Sequence, residues 1–359
     1  MMAKTLAAIS AHNQQPADQA GVPPIQNPLV RRAIGRQSLL DWLAEKNACQ
    51  CLQRIATETA FHKTLYMPSR LTTSEEGGAT AVKVVAVPKP DCPVPGLPGT
   101  TLLMDEETGC VRAVVNSAEL TGIRTATASA LATKLLADPT SQVLVVFGSG
   151  VQAYHHARLI LELFPSVTKL KLVVRSRGTR ANTLAKDIAA LFPRVTATLE
   201  TSEEEAVAAA VQTADIICTC VPSTTPLFKA ESIKPGVHIN AIGSYTPSMF
   251  EFPPDLISTS SPSSSPARIP HVLVDSRSAC LAESGELIAA HMTGDRLVEL
   301  GELFDPATGS VLGVDALAKL RQNGVSLFKC VGIGGMDVAI TRLVVDVAEK
   351  RGLGSVVPF

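Results

Sequence analysis

A glycine-rich turn stands near the middle of the chain, directly after a run of apolar residues. Residues 143–153 read VLVVFGSGVQA, in which Gly148, Gly150 and Ala153 follow the pattern G-x-G-x-x-A. Between a buried strand and a helix this pattern serves dinucleotide binding, since the first glycine permits a tight turn and the second lets the backbone approach a pyrophosphate. The free N–H groups and the positive end of the helix dipole then face the anion. We therefore predict a dinucleotide here; the alternative is a tight strand-to-helix turn that binds nothing.

The end of the next predicted strand indicates which dinucleotide is bound. An acidic residue there would bind the ribose 2′-hydroxyl of NAD(H). This chain instead carries three arginines and two hydroxyl side chains, namely Arg175, Ser176, Arg177, Thr179 and Arg180. Guanidinium groups bind phosphate through paired hydrogen bonds. The loop therefore favours NADP(H) over NAD(H), and the alternative is a solvated basic loop.

Strand and helix patterns alternate from the strand before this turn onward. Apolar runs predict strands at Val143–Phe147, Leu170–Arg175, Val195–Thr198, Ile216–Cys220, Val237–Ile242, Val272–Asp275 and Leu327–Val331. Helical spacing lies between the early strands, at Gln152–Phe164, Thr179–Leu191 and Glu203–Thr213. Such alternation predicts a parallel sheet covered on both faces. The residues that end the fourth strand, Thr219, Cys220, Val221 and Ser223, are then expected to contact the cofactor.

The 359 residues are too many for one ordinary core and suit two domains. Outside the alternating part, apolar spacing predicts helices from Ser38 to about Ala60, at Ala279–His291, at Val314–Arg321 and near Asp337–Glu349. Short β-branched runs predict strands at Thr64–Met67 and Ala81–Val87 and a hairpin of Thr101–Met104 with Val111–Val115. Residues 11–30, the proline-rich stretch 88–99 and the low-complexity stretch 258–270 indicate loops.

Composition excludes several classes of protein. The net charge of −1 gives no basic surface for nucleic acid or an anionic membrane. No apolar run approaches the ~20 residues that span a bilayer, and we find no secretory signal. The eight cysteines include no C-x-x-C pair, so we predict buried reduced thiols in a cytoplasmic protein rather than a metal site.

Several segments, taken in order, resemble the ornithine cyclodeaminase/μ-crystallin family. The matching segments are TLYMPS (64–69), AVKVV (81–85), LTGIRTATASALA (120–132), VFGSGVQAYHHA (146–157), GVHINAIGSYTP (236–247) and LFKCVGIGGMDVA (327–339). The resemblance implies an α/β fold in which a Rossmann dinucleotide-binding domain is inserted into a second α/β domain for substrate binding and dimerisation. We expect the second domain in residues 1–120 and 313–359 and the Rossmann domain in residues 121–312.

The resemblance also implies a group of cations for the substrate. Family members hold the substrate α-carboxylate with two arginines and a lysine, which correspond here to Lys83, Arg124 and Arg54, with Arg70 as a substitute for Arg54. Such a group binds a carboxylate strongly in a dry cleft. Taken singly, each would be read as a surface charge, except that Lys83 interrupts a β-branched strand and must find a partner.

Further cofactor contacts are expected around the glycine turn and in two other motifs. Val151 and Gln152 begin the helix after the turn, and Gln152 is typical of the family. Thr125 is expected near the phosphates or the carboxylate. Gly332 belongs to the GIGGMD motif, which in the family returns toward the nicotinamide, whereas Asp337 in the same motif either joins it or caps the last helix.

Two positions depart from the cyclodeaminases. An aspartate that follows their INA-x-G-G motif corresponds to Tyr245 here, and a second acidic residue corresponds to Leu65. A substrate with a charged terminal amine would lack both anionic partners. We therefore predict an NAD(P)H-dependent oxidoreductase of amino acid metabolism that reduces a cyclic α-imino (ketimine) acid, as a homodimer, with Tyr245 donating or relaying a proton. The alternatives are a cyclodeaminase of ornithine or lysine with recycled NAD and a non-catalytic NADPH-binding protein like the crystallins.

Overall fold

The computed structural model of the protein describes residues 5–9, 49–51, 54–73, 77–89, 91–93, 96–258, 269–304, 311 and 313–358. These residues form two compact units. The first unit contains the described residues up to Arg124, together with Phe304 and the residues from Ile333 onward. The second contains Thr125–Leu303 and the described residues from Val311 to Gly332. The assignment of a substrate role to one domain and a dinucleotide role to the other stays a prediction.

The described residues form strands and α-helices with the following bounds. The strands are β1 (Thr5–Ile9), β2 (Cys49–Cys51), β3 (Ile55–Glu58), β4 (His62–Thr73), β5 (Gly77–Pro88), β6 (Gly99–Met104), β7 (Val111–Asn116), β8 (Val143–Phe147), β9 (Lys169–Val174), β10 (Thr196–Thr201), β11 (Ile216–Thr219), β12 (His238–Ala241), β13 (Val272–Val274), β14 (Leu297–Glu299), β15 (Ser326–Lys329) and β16 (Ser355–Pro358). The α-helices are α1 (Ala118–Leu136), α2 (Val151–Leu163), α3 (Thr179–Leu191), α4 (Glu204–Val211), α5 (Arg277–Glu283), α6 (Gly285–Ala289), α7 (Val314–Leu320) and α8 (Gly334–Lys350).

The first unit contains one sheet with the strand order β16-β1-β7-β6-β5-β4-β2, and β3 also pairs with β4. Alternate residues of β5 are buried, from Ala79 through Lys83 to Val85, as expected for a strand with one face on a core. Helix α8 packs across β4 and β5. A Cβ atom at Gly334 would overlap the Ser69 hydroxyl, so glycine is needed for the helix to approach β4 this closely.

The second unit contains a sheet with the order β10-β9-β8-β11-β12-β15-β13-β14. Every neighbouring pair in this sheet is parallel. The side chains of Leu144–Phe147 in β8 are buried without alternation, because residues of two core clusters cover the two faces of the strand. The predicted α/β class and the parallel sheet are therefore confirmed.

In the first unit and at its border, one sequence-based prediction was wrong and one helix was not predicted. The predicted helix from Ser38 to Ala60 ends in residues that form β2 and β3, and its residues 38–48 lie outside the described part of the chain. Pairing with β4 supplies the backbone hydrogen bonds of both strands, and this tertiary pairing overrides a helical apolar spacing. Helix α1 was not predicted, because most of its side chains from Gly122 to Leu136 are buried and leave no polar stripe to reveal its period.

The predicted helix Ala279–His291 is in fact two short helices, α5 and α6. Ser284 between them has φ −84° and ψ 111°, which is extended rather than helical. Its hydroxyl donates to the Glu286 carboxylate at 2.7 Å, so the break is held by a side-chain hydrogen bond. The last helix begins three residues earlier than predicted, at Gly334.

The remaining element predictions hold with small changes of length. Val143–Phe147 and Thr179–Leu191 have the predicted bounds, and the hairpin of β6 and β7 is confirmed. Strands β4 and β5 extend well beyond the predicted residues because they pair with each other over their full length. Residues 11–30 and most of the stretch 258–270 lie outside the described residues.

Two fully buried histidines of the second unit are hydrogen-bonded to neighbouring groups. The imidazole of His156 bonds the Gln152 carbonyl at 2.7 Å and the Ser129 hydroxyl at 2.9 Å. The imidazole of His238 bonds the Ser326 hydroxyl at 2.8 Å and the Asn240 side chain at 3.3 Å. Burial lowers the pKa of each imidazole to about 4, so both are neutral near pH 7.

The seven cysteines characterised in the structure are free thiols. Cys218, Cys280 and Cys330 are buried, as predicted, but Cys51 and Cys110 are exposed, so the prediction was wrong for these two. Cys51 lies on a short strand and Cys110 on a hairpin turn, where neither side chain reaches a core. Among the described residues, no cluster of three His, Cys, Asp or Glu side chains has an arrangement that would hold a metal. None of the described helices combines the length and the apolar character needed to cross a membrane.

Candidate functional site

The glycine turn joins β8 to α2 as its sequence pattern predicts. Gly148 has φ +111°, a conformation that favours glycine, and its N–H donates to the Val173 carbonyl at 2.9 Å. A Cβ atom on Gly148 would lie 2.7 Å from the Val221 side chain. Helix α2 begins at Val151 after Gly150, which has no side chain to cap it. The first N–H groups of the helix are thus available to an anion.

The basic loop after β9 lies beside this turn. Arg175, Ser176 and Arg177 are exposed directly after the strand, and Arg180 follows in the first turn of α3. A Cβ atom on Gly150 would lie 2.9 Å from Nη2 of Arg180, so this guanidinium borders the glycine turn. The arrangement places the cationic loop next to the N–H groups expected to bind phosphate.

The ends of β11 and β12 are in close contact. A Cβ atom on Gly243 would overlap the carbonyl oxygen of Val221, so the backbones of the two strand ends touch. Cys220 donates its N–H to the Phe147 carbonyl at 3.1 Å, which ties the same segment to β8. Cys220, Val221 and Ser223 are half-buried, whereas Thr219 is fully buried.

A cluster of three fully buried ionisable residues, Glu251, Glu286 and Lys329, lies at these strand ends and is called the Glu–Lys–Glu cluster below. The Glu251 carboxylate accepts hydrogen bonds from backbone and side-chain donors alike: Ile242 N at 3.1 Å, Gly243 N at 2.6 Å, Ser244 N at 3.0 Å, Thr219 Oγ1 at 2.5 Å and Lys329 Nζ at 2.5 Å. The Glu286 carboxylate accepts from Ser244 Oγ, Ser284 Oγ and Glu251 N, each at 2.7 Å. The cluster therefore fixes residues 242–244.

The charges of this cluster depend on one another. Burial raises the pKa of the Glu251 carboxyl, the adjacent ammonium of Lys329 opposes that effect, and Glu286 adds to it. Burial lowers the pKa of Lys329, but the carboxylates of Glu251 and Glu286 outweigh burial and raise it overall. Lys329 is therefore protonated, whereas the net effect on Glu251 is a raised pKa, so its carboxyl holds a proton more readily than an exposed glutamate does.

Two of the three predicted substrate cations meet in the first unit. Lys83 on β5 donates to Asp337 Oδ1 at 3.1 Å, and Nε of Arg124 on α1 lies 3.2 Å from the same oxygen. Nη1 of Arg124 also contacts the Met336 sulfur at 3.4 Å. All three charged groups are buried, and two cations share one carboxylate. We call Lys83, Arg124 and Asp337 the cationic clamp, and it holds an excess positive charge.

Arg54 lies within electrostatic reach of this clamp. Burial lowers the pKa of Lys83 to about 8, Asp337 opposes this, and the charges of Arg124 and Arg54 lower it further. Arg54 itself is half-buried just before β3. An anion that entered the clamp would offset these positive charges, which is what a substrate carboxylate provides. Arg70 pairs instead with Glu106 at 2.7 Å, which makes it a poor substitute for Arg54.

The other predicted residues lie in positions that leave their roles untested. Tyr245 is half-buried two residues after Gly243. Thr125 is buried in α1, and Gln152 is half-buried in the first turn of α2. Gly332 has φ +84° and donates its N–H to Asp275 Oδ2 at 2.7 Å.

Sequence reasoning missed the Glu–Lys–Glu cluster and left Asp337 between two roles. The structure places the Asp337 carboxylate on Lys83 and Arg124, while the residue that caps α8 is Ile333. Lys329 ends an otherwise apolar strand, the same signal that singled out Lys83. Applied to Lys329, that signal would have predicted a buried acidic partner.

Comparison with known proteins identifies the family. The model of the ornithine cyclodeaminase/mu-crystallin family matches residues 48–352. The chain is 32% identical to ketimine reductase mu-crystallin of Mus musculus over 253 residues, which are 70% of each chain. It is 29% identical to a Δ1-pyrroline-2-carboxylate reductase of Bacillus cereus over 261 residues, which are 73% of this chain and 74% of the relative.

A solved structure shares the fold. The Thermococcus litoralis Δ1-pyrroline-2-carboxylate reductase in complex with NADH and L-proline has a TM-score of 0.73 at 24% identity, over 90% of this chain and 95% of that one. Because the family match covers most of the sequence, from before β2 to the end of α8, this chain belongs to the ornithine cyclodeaminase/mu-crystallin family.

Proposed function

We propose that the protein is an NADPH-dependent reductase of cyclic α-imino acids, the substrate class named for its ketimine and pyrroline-2-carboxylate reductase relatives. The observation that carries the proposal is the cationic clamp. Lys83 and Arg124 are buried against a single carboxylate, which leaves an excess positive charge for the substrate to neutralise. A bound α-carboxylate supplies that negative charge and two or more hydrogen-bond acceptors.

In this proposal each residue has a limited task. The cationic clamp, with Arg54, binds the carboxylate and fixes the α-carbon of the imine. The dinucleotide, when bound, supplies a hydride to that carbon. The imine nitrogen is the basic atom of the substrate, and its protonated form makes the α-carbon more electrophilic. Tyr245 is assigned the exchange of a proton with this nitrogen.

The preference for NADPH is supported by the arginine loop. Arg175 and Arg177 are exposed after β9 at the position where NAD-dependent folds place an acidic residue. Arg180 borders Gly150, which adds a third cation close to the phosphates. We expect Arg177→Ala to weaken NADPH binding at least tenfold and NADH binding much less, since a charged hydrogen bond to phosphate is worth roughly 1.5–3 kcal/mol. Equal losses for both dinucleotides would contradict the preference.

The decisive test is oxidation of NADPH in the presence of piperideine-2-carboxylate and of pyrroline-2-carboxylate. Lys83→Met is assayed beside the wild type, and Lys89→Met, which removes a half-buried lysine of the same unit that lies outside the cationic clamp, serves as the control. We expect turnover that collapses in Lys83→Met and persists in Lys89→Met. Ammonia release from ornithine or lysine with no net change of the cofactor would indicate a cyclodeaminase instead. Tight NADPH binding without turnover of any imino acid would indicate a binding protein.

The cyclodeaminase alternative is not favoured by the site. Leu65 packs with Met67 and Val85 in an apolar cluster, and the other expected acidic position is Tyr245. A terminal ammonium group of a substrate would find no carboxylate to pair with at either Leu65 or Tyr245.

We also propose a cytoplasmic homodimer. The free thiols of the described cysteines suit a reducing compartment. The face of the first sheet opposite α8 carries apolar side chains that are only half-buried, including Val82, Val84, Leu102 and Val114. Burial of this face between two copies would remove apolar area from water. Light scattering of the purified protein gives the mass that tests the dimer.

A further inference from the structure

The cationic clamp contains hydrogen-bonding groups that the described residues leave unused. Lys83 donates to Oδ1 of Asp337 at 3.1 Å, and Nε of Arg124 lies 3.2 Å from the same oxygen. The Nε–H of Arg124 makes no hydrogen bond with a described residue, and the other carboxylate oxygen, Asp337 Oδ2, accepts none from them. Both atoms are buried, so the clamp holds an unused donor and an unused acceptor close together.

A carboxylate ligand accounts for only one of these two atoms. Carboxylates accept hydrogen bonds and donate none, so such a ligand pairs with Lys83 and Arg124 but not with Asp337. The side chain of Asp337 is 4% exposed, so bulk water has little access to Oδ2. An acceptor that is buried without a donor destabilises the fold. The ligand that completes the clamp therefore brings a donor as well as a carboxylate.

The position of Oδ2 defines where that donor lies in the ligand. The two oxygens of Asp337 are bonded to the same carbon, so a donor on Oδ2 lies close to a carboxylate held by the two cations. A protonated imine or amine nitrogen on the carbon next to the carboxylate places a charged N–H there, and hydrogen bonds between charged groups are the strong ones. An α-keto acid has no donor at this position, and the hydroxyl of a 2-hydroxy acid is a neutral, weaker donor.

We propose that Asp337 Oδ2 accepts the N–H of the substrate nitrogen and thereby determines specificity for nitrogen-bearing α-acids. Lys83 and Arg124 bind the carboxylate, and Asp337 binds the protonated nitrogen one carbon away. A hydrogen bond to the charged form also favours the protonated imine, in which the α-carbon is more electrophilic. The inference rests on the carboxylate role that the proposed function gives to the clamp, but it requires no turnover.

Two cyclic acids that differ at one ring position test this hydrogen bond. L-Proline carries a protonated ring nitrogen, whereas (S)-tetrahydrofuran-2-carboxylate has an ether oxygen in its place, which donates nothing. Dissociation constants of both acids are measured by titration calorimetry with NADPH in excess, which reduces neither acid. At pH 6 Lys83, whose pKa is about 8, stays protonated. We expect the wild type to bind proline at least about tenfold more tightly, the effect of one charged hydrogen bond.

Asp337→Asn tests whether this carboxylate causes the preference. The amide oxygen faces the Lys83 ammonium, because the NH₂ group cannot, and the NH₂ group then takes the place of Oδ2 and opposes an N–H donor. Any change in the charge of Lys83 weakens both acids alike and cancels in the ratio of their dissociation constants. We expect the preference for proline to fall about tenfold, to near one. Glu349→Gln, on the same helix but paired with Arg112 outside the clamp, should keep the wild-type ratio.

The outcomes separate this inference from the proposed function. Equal affinities of the wild type for the two acids overturn the inference, as does a preference for proline that persists in Asp337→Asn, even if the protein is an active reductase. If the wild type binds neither acid, the carboxylate role of the clamp fails and the inference fails with it. A preference that is lost in Asp337→Asn supports the inference even if no imino acid is reduced.

A second substitution covers the case in which Asp337→Asn does not fold. Asp337→Glu keeps the negative charge beside Lys83 but displaces both carboxylate oxygens by one methylene group. We expect the ratio to fall in this variant as well, and a wild-type ratio would overturn the assignment to Asp337.

Discussion

Replacement of Lys83 by Met is expected to stabilise the fold and to abolish substrate binding. Burial lowers the pKa of Lys83 from 10.5 to about 8, even though Asp337 opposes the effect. Each pKa unit corresponds to about 1.4 kcal/mol, so the protonated lysine destabilises the folded protein by ~3 kcal/mol at pH 7. Methionine fills a similar volume without the charge. Asp337 retains Arg124 at 3.2 Å, so the substitution leaves no unpaired buried carboxylate.

The pH dependence gives this prediction its sign. The unfolded chain holds the Lys83 proton up to pH 10.5, whereas the folded protein releases it near pH 8. The destabilisation is therefore complete below pH 8 and disappears as the pH rises toward 10.5. Lys83→Met should be more stable than the wild type at pH 7 by about 1–3 kcal/mol, and the two proteins should converge near pH 10.

The assay is denaturant unfolding followed by circular dichroism at pH 7 and pH 10, with imino acid turnover measured on the same samples. Lys89→Met is the matched control, since the half-buried Lys89 pairs with the exposed Glu58 at the surface and surface pairs contribute about 0–1 kcal/mol. A Lys83→Met protein that is less stable at pH 7, or whose advantage is the same at pH 10, would refute the reasoning. Retained substrate affinity would refute the carboxylate role separately.

Three further predictions concern the two units. Asp337→Asn removes the charge that opposes the effect of burial on Lys83, so the pKa of Lys83 should fall further and less of it should be protonated at pH 8. The KM for the imino acid should therefore increase several-fold more at pH 8 than at pH 6, while Glu349→Gln on the same helix leaves the KM unchanged at both pH values. Gly243→Ala should weaken dinucleotide binding at least tenfold in a fluorescence titration, because its Cβ would overlap the Val221 carbonyl oxygen. The control Gly99→Ala should bind as the wild type does, because the atoms nearest to its Cβ would lie 3.5 Å away. His156 and His238 stay neutral in the folded protein down to about pH 4, whereas in the unfolded chain they are protonated below about pH 6.5. The free energy of unfolding should therefore fall between pH 6.5 and pH 4 by up to ~3 kcal/mol for each histidine. Replacement of either histidine by Gln should reduce this dependence on pH, and an unchanged dependence would contradict the assignment.

The parts of the fold that the sequence predicts well are those with local signals. Strand β8 is apolar throughout and is followed by glycine, so the sequence predicts both its bounds and its burial on two faces. Helix α3 has an amphipathic period and was predicted with its observed bounds. Helix α1 is buried on nearly all sides, and strands β2 and β3 exist because β4 pairs with them. Neither kind of element has a local pattern that reports its partner.

The candidate site divides in the same way. The glycine turn is one contiguous segment whose spacing carries its chemistry. The cationic clamp joins Lys83 to Asp337 across 254 positions of the chain, so residue spacing alone does not connect them. Resemblance to a family supplied the cations, and the structure supplied the carboxylate that holds them. The Glu–Lys–Glu cluster likewise brings together a loop, a helix and a strand, with Glu251 and Lys329 separated by 78 positions.

The balance of buried charges can be read from the structure but not from the sequence. The chain as a whole has a net charge of −1, yet its buried ionisable groups are not paired one to one. The cationic clamp holds two cations against one carboxylate, whereas the Glu–Lys–Glu cluster holds two carboxyl groups against one ammonium, with the pKa of Glu251 raised. A fold selected only for stability has no use for the excess positive charge of the clamp, since an uncompensated buried charge destabilises it. That excess charge is explained if an anionic ligand completes the clamp.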